Sequence, residues 1–244
     1  MQNNHSRDEG LKRLTLQSLS VSNQHYIITS FIKNDIRDAA QQYATGQLLD
    51  IGCGNKPYEI LFSEKVSRYT GCDIVQSSEQ VVDDLCPANA LVYDDRAFDT
   101  VFSTQVLEHV EDYEGMVQEA YRVLKNGGYG IFTAPFSWEL HEEPYDFFRF
   151  SKYGLRAVFE KKGFEVVTIR SNGGKWAAIS QLWLNVLFST RKYNTIRSRF
   201  IKLLFVQLRL IVPYNKFSIW LDKRYFDDIF TLNYLIVVKK VEKK

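Results

Sequence analysis

Apolar positions change their rhythm twice along this chain. Over residues 11–45 they recur at helical spacing, which predicts one or two helices up to about Tyr43 and a break at Thr45-Gly46. From Gly46 onward short apolar runs alternate with amphipathic stretches. Gly46–Ile51 (GQLLDI) reads as a buried strand running into a glycine-rich turn. Arg68–Ile74, a weaker Gln80–Asp83, Ala97–Ser103, Tyr129–Ala134, Phe164–Arg170 and Leu232–Lys240 read as six further strands. Pro57–Val66, Tyr113–Leu124 and Ser151–Lys162 read as helices between them; Asn126-Gly127-Gly128 ends the second and Ser151 caps the third. Strands alternating with helices predict an α/β fold, a mostly parallel seven-stranded sheet with helices on both faces.

Length and composition narrow this. The chain of 244 residues, 45% of them apolar, suits one α/β domain with an insertion and excludes a disordered chain or a small disulfide scaffold. A net charge of +2 gives no sign of a nucleic-acid binder. Three cysteines, Cys53, Cys72 and Cys86, with no CxxC pair, fit a reducing cytoplasm. The polar start, MQNNHSRDEG, reads as a mobile tail rather than a signal peptide. No apolar run is long enough to span a bilayer.

The chemistry begins at Asp50-Ile51-Gly52-Cys53-Gly54. A strand that meets two glycines and then a helix lets backbone approach a ligand closely. A dinucleotide site wants glycine three positions after Gly54, where Pro57 stands instead. Asp50, two positions before the first glycine, repels a pyrophosphate and suits an amine. Asp73, at the end of the second strand, is placed to accept from two ribose hydroxyls. One acid of Asp83-Asp84-Leu85 is placed to accept from an adenine amine.

DIGCG, GCDI, DDL, FDTVFSTQVLEHV and LKNGGYGIFTAP, in this order over residues 46–170, resemble class I S-adenosylmethionine-dependent methyltransferases of the methyltransferase-11 type. The resemblance implies a Rossmann-like fold. Asp50, Gly52, Cys53 and Gly54 would lie against the methionine part of the cofactor, Asp73 and Ile74 against the ribose, and Asp84 and Leu85 against the adenine. Thr104 and Gln105 would approach the amino group and sulfonium side, with His109 packed nearby. Lys56 stands where the family has a third small residue. The implied organisation is a tail and helical cap over 1–45 that covers the cofactor, a core of 46–170 plus 222–244, and a helical insertion over 171–221 before the last strand.

The acceptor site is expected in the loop after the fifth strand, Ala134 to Phe150. His141 is the candidate general base, with Asp146 or Glu142 to orient it. Arg149 alternatively pairs with Asp146 and pins the loop. The pattern H-x-x-P-x-D-F-x-R, then S-x-x-G-L, resembles bacterial methyltransferases encoded with polysaccharide-assembly genes. That implies a hydroxyl of a saccharide or lipid-linked glycan as acceptor. The alternatives are N- or O-methylation of another small molecule, quinone-like or a natural product, and a non-catalytic cofactor-binding scaffold. The histidines, His5, His25, His109 and His141, are scattered, and no metal set is visible.

The insertion is a different object. Residues 171–221 carry eight basic residues, nine aromatics and no acid, which leaves the remainder at 23 basic against 29 acidic, or −6. Trp176–Phe188 is nearly all apolar, and Ile196–Val212 mixes basic and apolar residues at helical spacing until Pro213. Basic and aromatic residues without acids suit an anionic membrane surface, with the protein peripheral on the inner face of the cytoplasmic membrane. A dimerisation or substrate-cap role competes with this, whereas the high apolar content disfavours nucleic acid.

Overall fold

The computed structural model describes residues 20–188, 199–200, 203, 205 and 207–242. Strand β1 (Gly46–Ile51) buries its last four residues in succession. A strand apolar on both sides needs a layer on each face. β1 lies near the middle of a seven-stranded sheet with β2 (Val66–Asp73), β3 (Asp84–Leu85), β4 (Phe98–Thr104), β5 (Leu124–Pro135), β6 (Phe164–Ser171) and β7 (Asn233–Lys240), ordered β3-β2-β1-β4-β5-β7-β6. β3, β2, β1, β4 and β5 pair in parallel, and β7 runs antiparallel between β5 and β6. This is the architecture expected from the alternation of elements.

Successive strand residues face opposite ways. Leu49, Val101, Phe132, Ile236 and Val238 enter one core with α3 (Tyr113–Val123) and α4 (Lys152–Lys161). Leu48, Phe102, Ile131, Leu235 and Val237 enter the other, against Ile28, Ile32 and Ile36 of α1 (Tyr26–Tyr43). Helix α1 is therefore a layer on the sheet face. Burying three isoleucines on the sheet fixes it there, and residues 1–19 of the expected cap lie outside the described residues.

Three local expectations change. The helix expected over Pro57–Val66 is a single turn, α2 (Glu59–Phe62), because Phe62 anchors against Phe102 (ring centroids 4.8 Å apart) and β2 already begins at Val66. The third strand is the two residues Asp84–Leu85 and not Gln80–Asp83. The Gln76 side chain takes both the N–H and the carbonyl of Val82, each at 3.1 Å, so a ladder is not needed there. Pro213 does not end a helix; it sits in the first turn of α6 (Ile211–Arg224), where a missing N–H costs nothing. Much of the helix expected over Ile196–Val212 lies outside the described residues.

α6 packs on α5 (Lys175–Phe188) and on α1 through Ile27, Ala177, Leu184 and Ile219. Asp222, fully buried on α6, accepts the N–H of Gly174 and of Ala177 at 2.9 Å each, capping α5 from a neighbouring helix. Asp222→Ala strands two buried donors and is expected to cost about 2–4 kcal/mol in urea unfolding. A change inside the error of that measurement would mean that water replaces the carboxylate.

Candidate active site

Strand order reverses between β1 and β4, and open α/β sheets bind ligands beyond the carboxyl ends of strands at such a point. A cavity of about 700 Å³ opens there, a volume that suits a nucleoside-sized ligand plus an acceptor. Asp50, Gly52, Cys53, Gly54, Asp73, Ile74, Thr104, Gln105 and His109 all line it.

The glycine turn has the geometry its sequence asks for. Gly52 and Gly54 have φ of +75° and +50°. A Cβ on Gly52 would stand 2.4 Å from Cγ2 of Val106. The Gly54 N–H donates to Oδ2 of Asp73 at 3.1 Å, and the Ile74 N–H to Oδ1 at 2.7 Å. Gly52→Ala combines left-handed strain with that clash, and is expected to weaken S-adenosylmethionine binding about 10- to 100-fold in calorimetric titration. Unchanged affinity would put the ligand elsewhere. Lys56 takes the third small position by adopting φ +50° and turning its side chain away to Asp83, at 2.6 Å, so it does not line the cavity.

Asp50 is almost fully buried yet lines the cavity. Its Oδ2 accepts from the Tyr69 hydroxyl at 2.6 Å, and its Oδ1 has no donor. Burial pushes its carboxyl up to about 7, against the pull of the Tyr69 hydrogen bond. Such an orphaned carboxylate oxygen fits a ligand ammonium, so the residues present suit the implied cofactor. Thr104 at the end of β4 and Gln105 after it line the cavity; Gln105, at φ +56°, donates its N–H to the Thr133 carbonyl at 3.2 Å.

The adenine assignment needs correction. Asp84 and Leu85 do not line the cavity; the Asp84 carboxylate accepts from the Tyr93 hydroxyl at 2.9 Å, and Leu85 points to solvent. Cys86, Pro87, Ala88 and Asn89 form that wall instead. Tyr58, Tyr69 and Asp112 were not anticipated either. Tyr58 and Asp112 line the cavity, and Tyr69 stands behind it, bonded to Asp50.

The acceptor loop is also arranged differently from expectation. His141, Asp146 and Arg149 do not line the cavity, while His109, Glu142, Tyr145 and Phe147 do. Arg149 grips Asp146 through two hydrogen bonds, at 2.5 and 2.8 Å, and Asp146 accepts the His141 N–H at 2.9 Å. Burial pushes Asp146 up, but Arg149 and His141 outweigh it and hold the carboxyl at about 2. Asp146 is thus a fixed carboxylate in a loop clamp and does not act as an acid. Two of the histidines expected to be scattered come together. His109 and His141 meet edge to face with ring centroids 4.8 Å apart. Glu108, from the same turn as His109 (Leu107–His109), is fully buried, and burial raises its carboxyl to about 8.

A family model described as a methyltransferase domain matches residues 49–132. A ubiquinone biosynthesis O-methyltransferase from Idiomarina loihiensis is 29% identical over 100 residues, covering 36% of this chain and 41% of that protein. The chain therefore spans less than half the length of this curated relative. A S-adenosylmethionine-dependent methyltransferase from Archaeoglobus fulgidus superposes with TM-score 0.56 at 18% identity, over 86% of this chain and 94% of that one. A geranyl diphosphate C-methyltransferase from Streptomyces coelicolor, solved with S-adenosylhomocysteine, does so with TM-score 0.55 at 15% identity, over 87% and 79%.

Proposed function

We propose that this chain is a class I S-adenosylmethionine-dependent methyltransferase, in line with the methyltransferase-domain model that matches residues 49–132, and that it moves a methyl group from S-adenosylmethionine to a hydroxyl oxygen of a small acceptor. The observation that carries this reading is a single cavity with two unlike walls. One holds the orphaned Asp50 oxygen beside the glycine turn, and the other holds His109 with Glu142. When bound, the cofactor supplies an electrophilic methyl carbon on a sulfonium sulfur. Asp50 would accept from its ammonium, and Asp73, oriented by the Gly54 and Ile74 N–H groups, would accept from the ribose hydroxyls. Glu142, whose Oε2 lies 3.9 Å from Nε2 of His109, would take the hydroxyl proton of an acceptor held on this wall. Tyr145 and Phe147 form an aromatic floor beside this pair.

We place a saccharide or lipid-linked glycan first among acceptors, on the pattern of the loop from His141 to Arg149. The ubiquinone biosynthesis O-methyltransferase from Idiomarina favours a second reading, a phenolic hydroxyl on a quinone-like ring. Methyl transfer measured on panels of glycans, polyhydroxylated aromatics and amines decides between them. Transfer to amines alone sinks the hydroxyl reading, and cofactor binding with no turnover on any panel favours a scaffold.

For α5 and α6 we propose contact with an anionic membrane. No helix among the described residues is long and apolar enough to cross one. Trp183, Val186, Phe217 and Trp220 are exposed, Lys216 is exposed next to Phe217 in the chain, and the rings of Phe217 and Trp220 stack. Such a surface suits the interface of an anionic leaflet. Failure to float with phosphatidylserine vesicles sinks this part; a dimer in solution assigns the face to a second copy.

A further inference from the structure

The methyl transfer proposed above leaves Glu108 unexplained. Neither of its carboxylate oxygens accepts a hydrogen bond, although the side chain is fully buried. Native proteins seldom leave a buried carboxylate without donors. Oε1 of Glu108 lies 3.9 Å from Nε2 of His109, and Oε2 of Glu142 lies 3.9 Å from the same nitrogen. These distances are too long for hydrogen bonds. Nδ1 of His109 is 2.6 Å from the Tyr145 carbonyl, which only accepts. Nδ1 therefore carries the proton and Nε2 presents a lone pair.

His141 is anchored in the same way. Its Nδ1 lies 3.2 Å from the Glu139 carbonyl and 3.3 Å from Oδ2 of Asp146, leaving Nε2 as the lone-pair nitrogen. Glu108, His109 and His141 each bring a ligand atom within 4.8 Å of the others. Two imidazole nitrogens and the unpartnered Glu108 carboxyl converge, and each imidazole is oriented from behind by an oxygen. Metal-binding histidines are held in this manner.

We propose that Glu108, His109 and His141 bind a divalent transition-metal ion on the acceptor side of the cavity. Two imidazoles with one carboxylate suit Zn²⁺, Co²⁺, Mn²⁺ or Fe²⁺ better than Mg²⁺ or Ca²⁺. The inference deepens the reading of this wall as the acceptor site and rests on it. His109 lines the cavity, so the ion is within reach of an acceptor hydroxyl there. As a Lewis acid it lowers the pKa of that hydroxyl, and the proton goes to Glu142. Asp146 and Arg149 become positioning residues that fix His141.

The test uses the full-length protein, stripped with a chelator and titrated with Co²⁺ alone. Calorimetry and visible d–d absorption report binding. One Co²⁺ per chain is expected. Glu108→Gln, His141→Ala and Asp146→Asn are expected to weaken it about 10- to 100-fold. Circular dichroism checks that each variant folds, and variants on separate segments guard against one that does not. No absorption change at millimolar Co²⁺, or unaltered affinity in Glu108→Gln and His141→Ala, overturns the ion site. The same samples are titrated with S-adenosylmethionine. Co²⁺ binding without cofactor binding overturns the methyltransferase reading and keeps the ion site; cofactor binding without Co²⁺ does the reverse.

Discussion

Asp50→Asn is expected to weaken S-adenosylmethionine binding about 10- to 100-fold near pH 8, the loss of a charge-assisted hydrogen bond in a dry site. The empty variant is expected to be at least as stable as the wild type at that pH. Both halves follow from one number. Burial raises the Asp50 carboxyl from 3.8 to about 7. A raised folded-state pKa means that stability is fully present below about pH 4 and is lost as pH rises to about 7, at up to roughly 1.4 kcal/mol per pH unit. Asparagine removes that loss and still accepts from Tyr69 through its carbonyl. Ligand binding runs the other way, because only the carboxylate receives an ammonium. Wild-type affinity should therefore fall as pH drops below about 7, approaching tenfold per unit, and the variant should be flat. Calorimetric titration between about pH 5.5 and 7.5, with urea unfolding of the empty protein, measures both. The same slope in both proteins would mean that Asp50 is not the group that meets the ligand amine.

What made Asp50 legible in sequence is that its surroundings are local. Asp50, Gly52 and Gly54 lie within one strand-to-helix turn, and Asp73 reaches that turn because β2 is the parallel neighbour of β1. The period-two alternation of Leu48/Leu49 and Val101/Phe102 is likewise readable without coordinates. Side-chain partners far apart in sequence were not readable. Asp84 follows the second strand as a family adenine contact would, but Tyr93 draws its carboxylate away. Val82 looks like strand until Gln76 satisfies its backbone. The loop residues were chosen as chemistry in their own right. Arg149 turns Asp146 inward and leaves His109, which belongs to the turn after β4, as the histidine that faces the cavity. The Glu108–His109–His141 cluster joins two such segments. Its one local hint is the Glu-His pair, which alone is common and uninformative.

That rearrangement sets the largest expected effect. His109→Ala should slow methyl transfer about 10²–10⁴-fold at saturating S-adenosylmethionine, the usual range for losing a group that manages the acceptor proton. Cofactor affinity should change little, since the ammonium and ribose contacts lie on the other wall, at Asp50 and Asp73. Nε2 of His109 and Oε2 of Glu142 lie 3.9 Å apart and face the same space, so they should act as a unit. Residues that act as a unit are strongly non-additive. His109→Ala combined with Glu142→Gln should be no slower than the worse single variant. Single-turnover rates, which separate chemistry from product release, are the measurement. Multiplying losses in the double variant would mean two independent roles. Full activity in His109→Ala would remove this wall from the reaction and send the acceptor to the side lined by Cys86 and Pro87, while leaving the cofactor end as described.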